Sequence, residues 1–383
     1  MNFLNIHILQ TIPFSNLNRD DAGSPKSVIY GGANRARLSS QSLKRAARTQ
    51  FEATSPADMT SRSKFTGSHL LTLVTTLLPD SGVSVTDEIL AEAKRLSLAE
   101  TKKLTTKEKR VSAGKKAPDK SDAKTEGASS NNDAGDTLVW LAESEMRALA
   151  QKIVVKLTQA SGEQEDLSNW IHPSTSSLTI AGFGRMFASA PEVQTEAAVQ
   201  LAHAFTTHAA VTEIDYFTAV DDLRATFMED AGAGHLDLAE FTSGVFYRYL
   251  NVDRRQLAAN WTDLGESDAH QRLAEWFSSL LLSLPSGKIN ATAPLTLPFL
   301  IIAQESSVPV SFADAFEAAV TETGSGFANP SRARLLDYQA KSEAAAGSLF
   351  GGSKVLDLAG LDVQGVNLDE LTEFAVDWVL RSE

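Results

Sequence analysis

Between Asn18 and Arg48 the chain places Arg19, Lys26, Arg35, Arg37, Lys44, Arg45 and Arg48. Gly31-Gly32 and the serine run Ser39-Ser40-x-Ser42 lie among them. Arginine and lysine supply charge, while serine hydroxyls and the open amides at a helix start supply directed donors. Together these are the chemistry of phosphate binding. Ser39, Ser40 and Gln41 stand where such amides fall, and Lys44 and Arg48, four residues apart, project from one helix face. A second set is apolar: Tyr216-Phe217-Thr218, and Met186 in the run GFGRM. Such groups stack on or splay bases without reading sequence, although core packing is their ordinary use. Asp20-Asp21, beside Arg19, forms a third set. A carboxylate there could hold a divalent ion for phosphodiester cleavage, or orient Arg19 and nearby backbone groups.

Other chemistries find no support. The chain has no Walker loop, no HExxH and no GxSxG, and no cysteine for disulfides or thiolate sites. His203 and His208 have an odd spacing, which in a strand sends them to opposite faces. They read as structural histidines, so no metal or other cofactor is expected.

The 383 residues carry a net charge of −13, which on average disfavours a polyanion. The average hides a segregation: residues 1–52 sum to +4, residues 101–126 to +5, and the remainder to −22. A chain built this way can bind phosphate with one face and stay soluble with the others, although solvated surface is the ordinary use of such charge runs. No apolar run reaches the ~20 residues a bilayer span needs, and MNFLNIHILQ is not a signal peptide. A cytoplasmic protein without a membrane partner is expected.

The elements that must position these groups follow from periodicity. Phe3 to Ile12 reads as a strand closed by Pro13, with Leu4, Ile6 and Ile8 on one face. Asn5 and His7 on the other suit a face turned toward a ligand. A loop through Gly31-Gly32 leads to a helix from Ser39 or Ser40 to about Glu52. Residues 70–78, 88–98 and 137–157 have helical spacing. Thr101–Asp136 is too polar to offset its ordering entropy and reads as a mobile loop. Strands are expected at 195–208, 241–253 and 295–304, a helix broken near Gly265 between the last two, and a helical tail. In that tail Phe312, Ala315, Phe316 and Ala319 form one stripe, and Asn367 with Glu370 forms a cap. With its two insertions removed, the order is βαββαβ. The expected class is therefore α+β, a ferredoxin-like or RNA-recognition-motif arrangement. A generic RNA-recognition-motif regulator is disfavoured, because no RNP-like aromatic strand is evident.

Several segments, in order, resemble the CasC-type backbone subunit of the type I-E CRISPR surveillance complex, Cascade. They are NRDD at Asn18–Asp21, Gly31-Gly32-x-x-Arg35-x-Arg37, LSSQSLKRA at Leu38–Ala46 and Gly184-Arg185-Met186. Ala202-His203-Ala204-x-Thr206-Thr207-His208, IDYFTAVDDL from Ile214 and EFTSGVFYRY from Glu240 to Tyr249 complete the set. The resemblance implies an RNA-recognition-motif-like palm at 1–56, 176–208 and 241–310. It also implies a helical finger at 57–175, a thumb at 209–240 and C-terminal helices at 311–383. It implies a non-enzymatic subunit whose copies stack head to tail along the spacer of a CRISPR RNA. The other Cascade subunits would be partners: a large subunit, a small subunit, a 5′-end-capping subunit and a crRNA-processing endonuclease. Target DNA would be engaged through guide pairing.

By position, Arg19, Lys26, Arg35, Arg37, Ser39, Ser40, Gln41, Lys44, Arg45 and Arg48 would hold the RNA backbone. Met186, Tyr216, Phe217, Thr218 and Leu236 would displace a base, with Leu238 beside them. Tyr216 stands where many relatives have tryptophan. Related type III subunits cleave target RNA with an aspartate after the first strand, so Asp20 gives the alternative function.

Overall fold

In a computed structural model of the protein, residues 1–82, 84–105, 138–158, 167, 169–187, 189–219, 235–324, 326–358 and 365–381 are described. The expected loop at 101–136 lies mostly outside them. The chain opens with β1 (Phe3–Ser15), β2 (Ser27–Tyr30), β3 (Ala33–Leu38) and α1 (Ser40–Thr54). Then come β4 (Thr60–Ser63), α2 (Thr66–Leu77), α3 (Asp87–Lys103), β5 (Val139–Ala142), α4 (Glu143–Thr158) and α5 (Leu178–Phe183). Next are β6 (Val199–Leu201), β7 (Ala204–Thr206), β8 (Thr212–Ala219), β9 (His235–Asp253) and α6 (Arg254–Asn260). The chain closes with α7 (Ala269–Leu282), α8 (Ile289–Thr292), β10 (Leu300–Ser306), α9 (Ala328–Ala346), β11 (Phe350–Asp357) and α10 (Leu368–Leu380). Two compact units result: residues 1–55, 198–258 and 264–383, and residues 56–197 with 259–263. Residues 176–197, expected with the palm, fall in the second unit.

The first unit is an α+β fold. Its sheet runs β11-β10-β1-β9-β7-β3-β2, with β6 and β8 also paired to β9. All pairings are antiparallel. Stripped to β1-α1-β6/β7-β9-α7-β10, it has the expected βαββαβ order, with strand four beside one, one beside three and three beside two. Leu4, Ile6 and Ile8 are fully buried on one face of β1. On α1, Leu43, Ala47 and Phe51 recur every four residues as its buried stripe. On α7, Leu273, Trp276, Phe277 and Leu280 do the same. Each such Leu or Phe contributes about 1.5–3 kcal/mol by leaving water. The buried Arg248 guanidinium ties β9 to the end of α7, donating to the carbonyls of Leu280 (2.9 Å) and Leu281 (3.2 Å) and to Gln10 Oε1. The Asn367–Glu370 capping box opens α10 as expected.

The second face of β1 departs from expectation. Asn5 and His7 are buried, not presented to a ligand. His7 stacks on Phe312 with centroids 3.9 Å apart, within a core of Leu9, Tyr247, Tyr249, Leu300, Phe316 and Leu335. The covering chain, from Phe312 onward, joins the sheet from more than 300 residues away, so nothing near His7 announces it. α9 falls among the expected C-terminal helices, whereas β11 adds a strand to that segment.

In the second unit α2, α3 and α4 pack around Leu70, Val74, Leu96, Leu149 and Ile153. The helix expected over 137–157 begins later. Val139–Ala142 pairs as β5 with β4, suiting its β-branched and aromatic residues. Glu145 Oε2 then accepts from the amide of Ala142 (2.9 Å) as α4 starts.

Candidate nucleic-acid interface

The basic stretch is built on a braced loop. Asn16, buried at the end of β1, donates from Nδ2 to the carbonyls of Gly23 and Glu240, both at 2.9 Å. It thereby fastens the Arg19 loop to β9. Asp20 Oδ1 accepts from the amides of Ala22 (2.9 Å) and Ser24 (3.0 Å), which spends that oxygen on the turn. The Lys26 amide donates to Asn18 O, and Asn18 Oδ1 accepts from the Ser39 amide (2.8 Å). Arg19 is left exposed and Lys26 half-buried.

Ser39 is the cap of α1, its buried Oγ accepting from the Ser42 amide at 3.2 Å. Its hydroxyl serves the helix, so an RNA contact through it is not what the geometry offers. Gln41 and Arg45 stand exposed one turn apart on α1. Ser40, Lys44 and Arg48 are half-buried. Lys44 Nζ lies 3.4 Å from the carbonyl of Val199, and burial lowers its pKa. Among the described residues, Arg19, Lys26, Arg37 and Arg45 have no carboxylate partner. Within one short stretch of a chain of net charge −13, these four cations supply the kind of charge that a polyanion would need.

Arg35 corrects the expected set. It is fully buried and donates to the carbonyls of Tyr30 (3.3 Å), Thr206 (3.0 Å), Phe316 (3.0 Å) and Glu317 (3.2 Å). Its donors close the fold and do not face a ligand. Arg37, two residues on, lies opposite Phe205 and is half-buried, its Nε without a partner.

A second correction concerns the aromatic strand. Tyr247 and Tyr249 sit on β9 facing His7 and Asn5 on β1, so aromatic residues do occupy the central strands. Both are buried. Tyr247 Oη meets His7 Nδ1 at 2.9 Å and accepts from the Phe312 amide, while Tyr249 Oη donates to Asn5 Oδ1. Burial pushes Tyr249 up to about 12 and pulls His7 down to about 3. This sheet face cannot stack bases.

The apolar set stands on a ribbon. β8 pairs with the first half of β9 from Thr212↔Thr242 to Ala219↔His235. Residues opposite one another share a face, so Ile214, Tyr216 and Leu238 make one apolar face while Phe217 lies on the other beside Asp215 and Asp237. Tyr216 is 68% exposed, Leu238 55% and Phe217 43%. Phe14, stacked on Phe241 at 4.2 Å, anchors the base. Thr218 and Leu236 are paired in the ladder, but their side chains lie outside the description, as do residues 220–234. An isolated two-stranded ribbon is marginal in water, and contiguous exposed apolar groups mark a contact surface.

In the second unit Met186 is 79% exposed. Its neighbours fix it there. Gly184 has φ 73°, and a Cβ on it would come within 2.8 Å of Thr195 O and Ala197 N. Arg185 is buried, pairs with Glu145 Oε2 at 2.5 Å and donates to His172 O at 2.8 Å.

His203 has a structural partner, as expected, but not the strand position that simple alternation gives it. Strand alternation groups it with Leu201 and Phe205, but the strand breaks between β6 and β7, and the ring is exposed. Its Nδ1 accepts from the Ser40 amide at 2.8 Å. His208 is structural as expected, stacked on Phe327 at 3.7 Å, with Nε2 accepting from the Val245 amide.

A family model described as CT1975-like protein matches residues 4–371. The chain belongs to this family. It is also similar to a chain of a solved structure titled "CRISPR RNA-guided surveillance complex, pre-nicking", at 28% identity and TM-score 0.69, covering 99% of each chain. A chain of another, titled "CRISPR RNA-guided surveillance complex", matches at 27% identity and TM-score 0.57, over 98% of this chain and 99% of that one. No curated protein matches.

Proposed function

We propose that this CT1975-like protein is a backbone subunit of a CRISPR RNA-guided surveillance complex, of the type I-E Cascade kind. Its copies stack head to tail along the crRNA spacer. Arg19, Lys26, Arg37, Ser40, Gln41, Lys44, Arg45 and Arg48 grip the RNA backbone, whose charge dominates affinity. Tyr216 and Phe217 on the ribbon, with Met186, displace a base at intervals, leaving the others to pair with target DNA. The subunit performs no cleavage itself and acts in the cytoplasm with the other Cascade subunits. The observation that carries this reading is the set Arg19, Lys26, Arg37 and Arg45, without carboxylate partners among the described residues and tied through Asn16 to an exposed apolar ribbon.

Co-expression with a CRISPR transcript and the neighbouring subunits tests it. Bound RNA of uniform length is expected, lost in an Arg19→Glu/Arg45→Glu double variant. Both side chains are exposed, so this variant should still fold. Binding of single-stranded RNA should weaken with salt at a slope of about −0.7 per phosphate contact. Metal-dependent cleavage of target RNA that disappears in Asp20→Ala would replace this reading with a type III-like nuclease. The bonds from Ala22 and Ser24 to Asp20 Oδ1 argue for the turn role instead.

A further inference from the structure

His203 occupies a place among the cations that its chemistry makes informative. Its Nδ1 accepts a proton-bearing amide, Ser40 N–H, at 2.8 Å. An imidazole nitrogen that accepts cannot itself carry a proton, so in the neutral ring the hydrogen sits on Nε2. Nε2 lies on the side of the ring away from that bond, on a residue exposed to solvent. Among the described residues it has no partner. Partial burial and the nearby charges of Arg37 and Lys26 hold the ring below its ordinary pKa. Lys26 and Arg37 are themselves joined, Arg37 N–H donating to Lys26 O at 2.8 Å. Two cations without carboxylate partners thus act on one oriented neutral donor fixed at the start of α1.

We propose that His203 donates from Nε2 to a phosphodiester oxygen of the bound RNA, the same phosphate that Lys26 and Arg37 neutralise. This rests on the RNA-binding function proposed above and adds a contact to it. The two kinds of group divide the work. The Lys26 ammonium attracts phosphate as a point charge, whereas a neutral N–H locked by its acceptor bond rewards one oxygen position. His203 thus fixes register without adding charge, and Ser40 acts as the positioning group.

The charge difference provides the test. Binding of a fluorescein-labelled single-stranded RNA to the full chain is measured across a salt series. His203→Ala should lower affinity about tenfold, the loss of one hydrogen bond to a charged acceptor, with the slope of log K against log salt unchanged. Lys26→Ala should lower both affinity and slope, the latter by about 0.7. In ¹⁵N-histidine spectra the wild-type ring should show a protonated Nε2 whose signal shifts when RNA is added. His203→Asn, whose amide oxygen can still accept from Ser40, controls for loss of the bond to α1. An unchanged affinity in His203→Ala would overturn the assignment and leave the ring as a helix brace. So would a tenfold loss accompanied by a shallower salt slope, or full recovery in His203→Asn with no RNA-dependent signal in the wild type. Failure of the wild type to bind RNA would overturn the parent reading as well, which distinguishes the two.

Discussion

Arg35 Nη2 lies 3.0 Å from the carbonyl of Phe316 and 3.2 Å from that of Glu317, so a hairpin near the N-terminus is latched to a segment nearly three hundred residues on. Gly31 completes the latch: it has φ 57°, and a Cβ there would overlap the Glu317 carbonyl. The guanidinium also holds Tyr30 O and Thr206 O, so one buried cation satisfies carbonyls from separate parts of the sheet and its cover.

Replacing Arg35 by alanine should therefore cost about 3 kcal/mol or more, since several buried carbonyls lose their donors together. Urea titration of the full chain should show the lowered midpoint. Arg35→Lys, which keeps the charge but not the fork, should fall between. At temperatures where it is folded, it should bind RNA with wild-type affinity and salt slope. A reduced slope in Arg35→Lys would return Arg35 to the phosphate-binding set.

His7 makes the fold sensitive to acid. Its folded pKa of about 3 lies below the ordinary 6.5 because burial disfavours the charged ring. Between those values the unfolded chain binds a proton that the native one does not, so stability falls as pH falls through this window. The contribution is about 1.4 kcal/mol per pH unit. Above pH ~6.5 it is constant. His7→Phe, which keeps a ring to stack on Phe312, should lose this part of the slope. Denaturation midpoints of the two proteins followed from about pH 6 to pH 4 should diverge by that amount; parallel curves would mean His7 is not held neutral in the native state.

The core was legible where local periodicity decides the outcome. Leu4, Ile6 and Ile8, the stripe on α1 and the Asn367–Glu370 cap each depend on residues within a turn or two of one another. The concentration of cations in the basic stretch was legible from residue types alone, whereas Tyr216, Phe217 and Met186 have the ordinary composition of a core, and only the family resemblance set the first two on a projecting element. Three features escaped, each for a long-range reason. Arg35 looks like Arg37 in sequence, and only the distant arrival of Phe316 and Glu317 separates a buried clamp from a half-open cation. Tyr247 and Tyr249 alternate with Arg248 as a stacking strand would, but Phe312 covers them. His203 follows strand parity on paper, and the break between β6 and β7 turns it toward Ser40 instead.

The ribbon yields the sharpest test of how RNA is held. Tyr216 and Leu238 are cross-strand partners on one face, and Phe217 lies on the other. All three are largely outside the core, so shortening them removes little buried surface. Tyr216→Ala/Phe217→Ala should leave the denaturation midpoint within about 0.5 kcal/mol of wild type, as for surface substitutions generally. If the ribbon displaces a base, 2-aminopurine placed along the RNA should brighten at regular positions in the assembled complex, where the displaced base is unstacked. The double variant should lose that brightening while keeping most of its affinity, because the cations and not the ribbon carry the phosphate contacts. Uniform fluorescence along the wild-type complex would refute base displacement. Retained brightening in the variant would assign the wedge to other residues, with Met186 the first to replace.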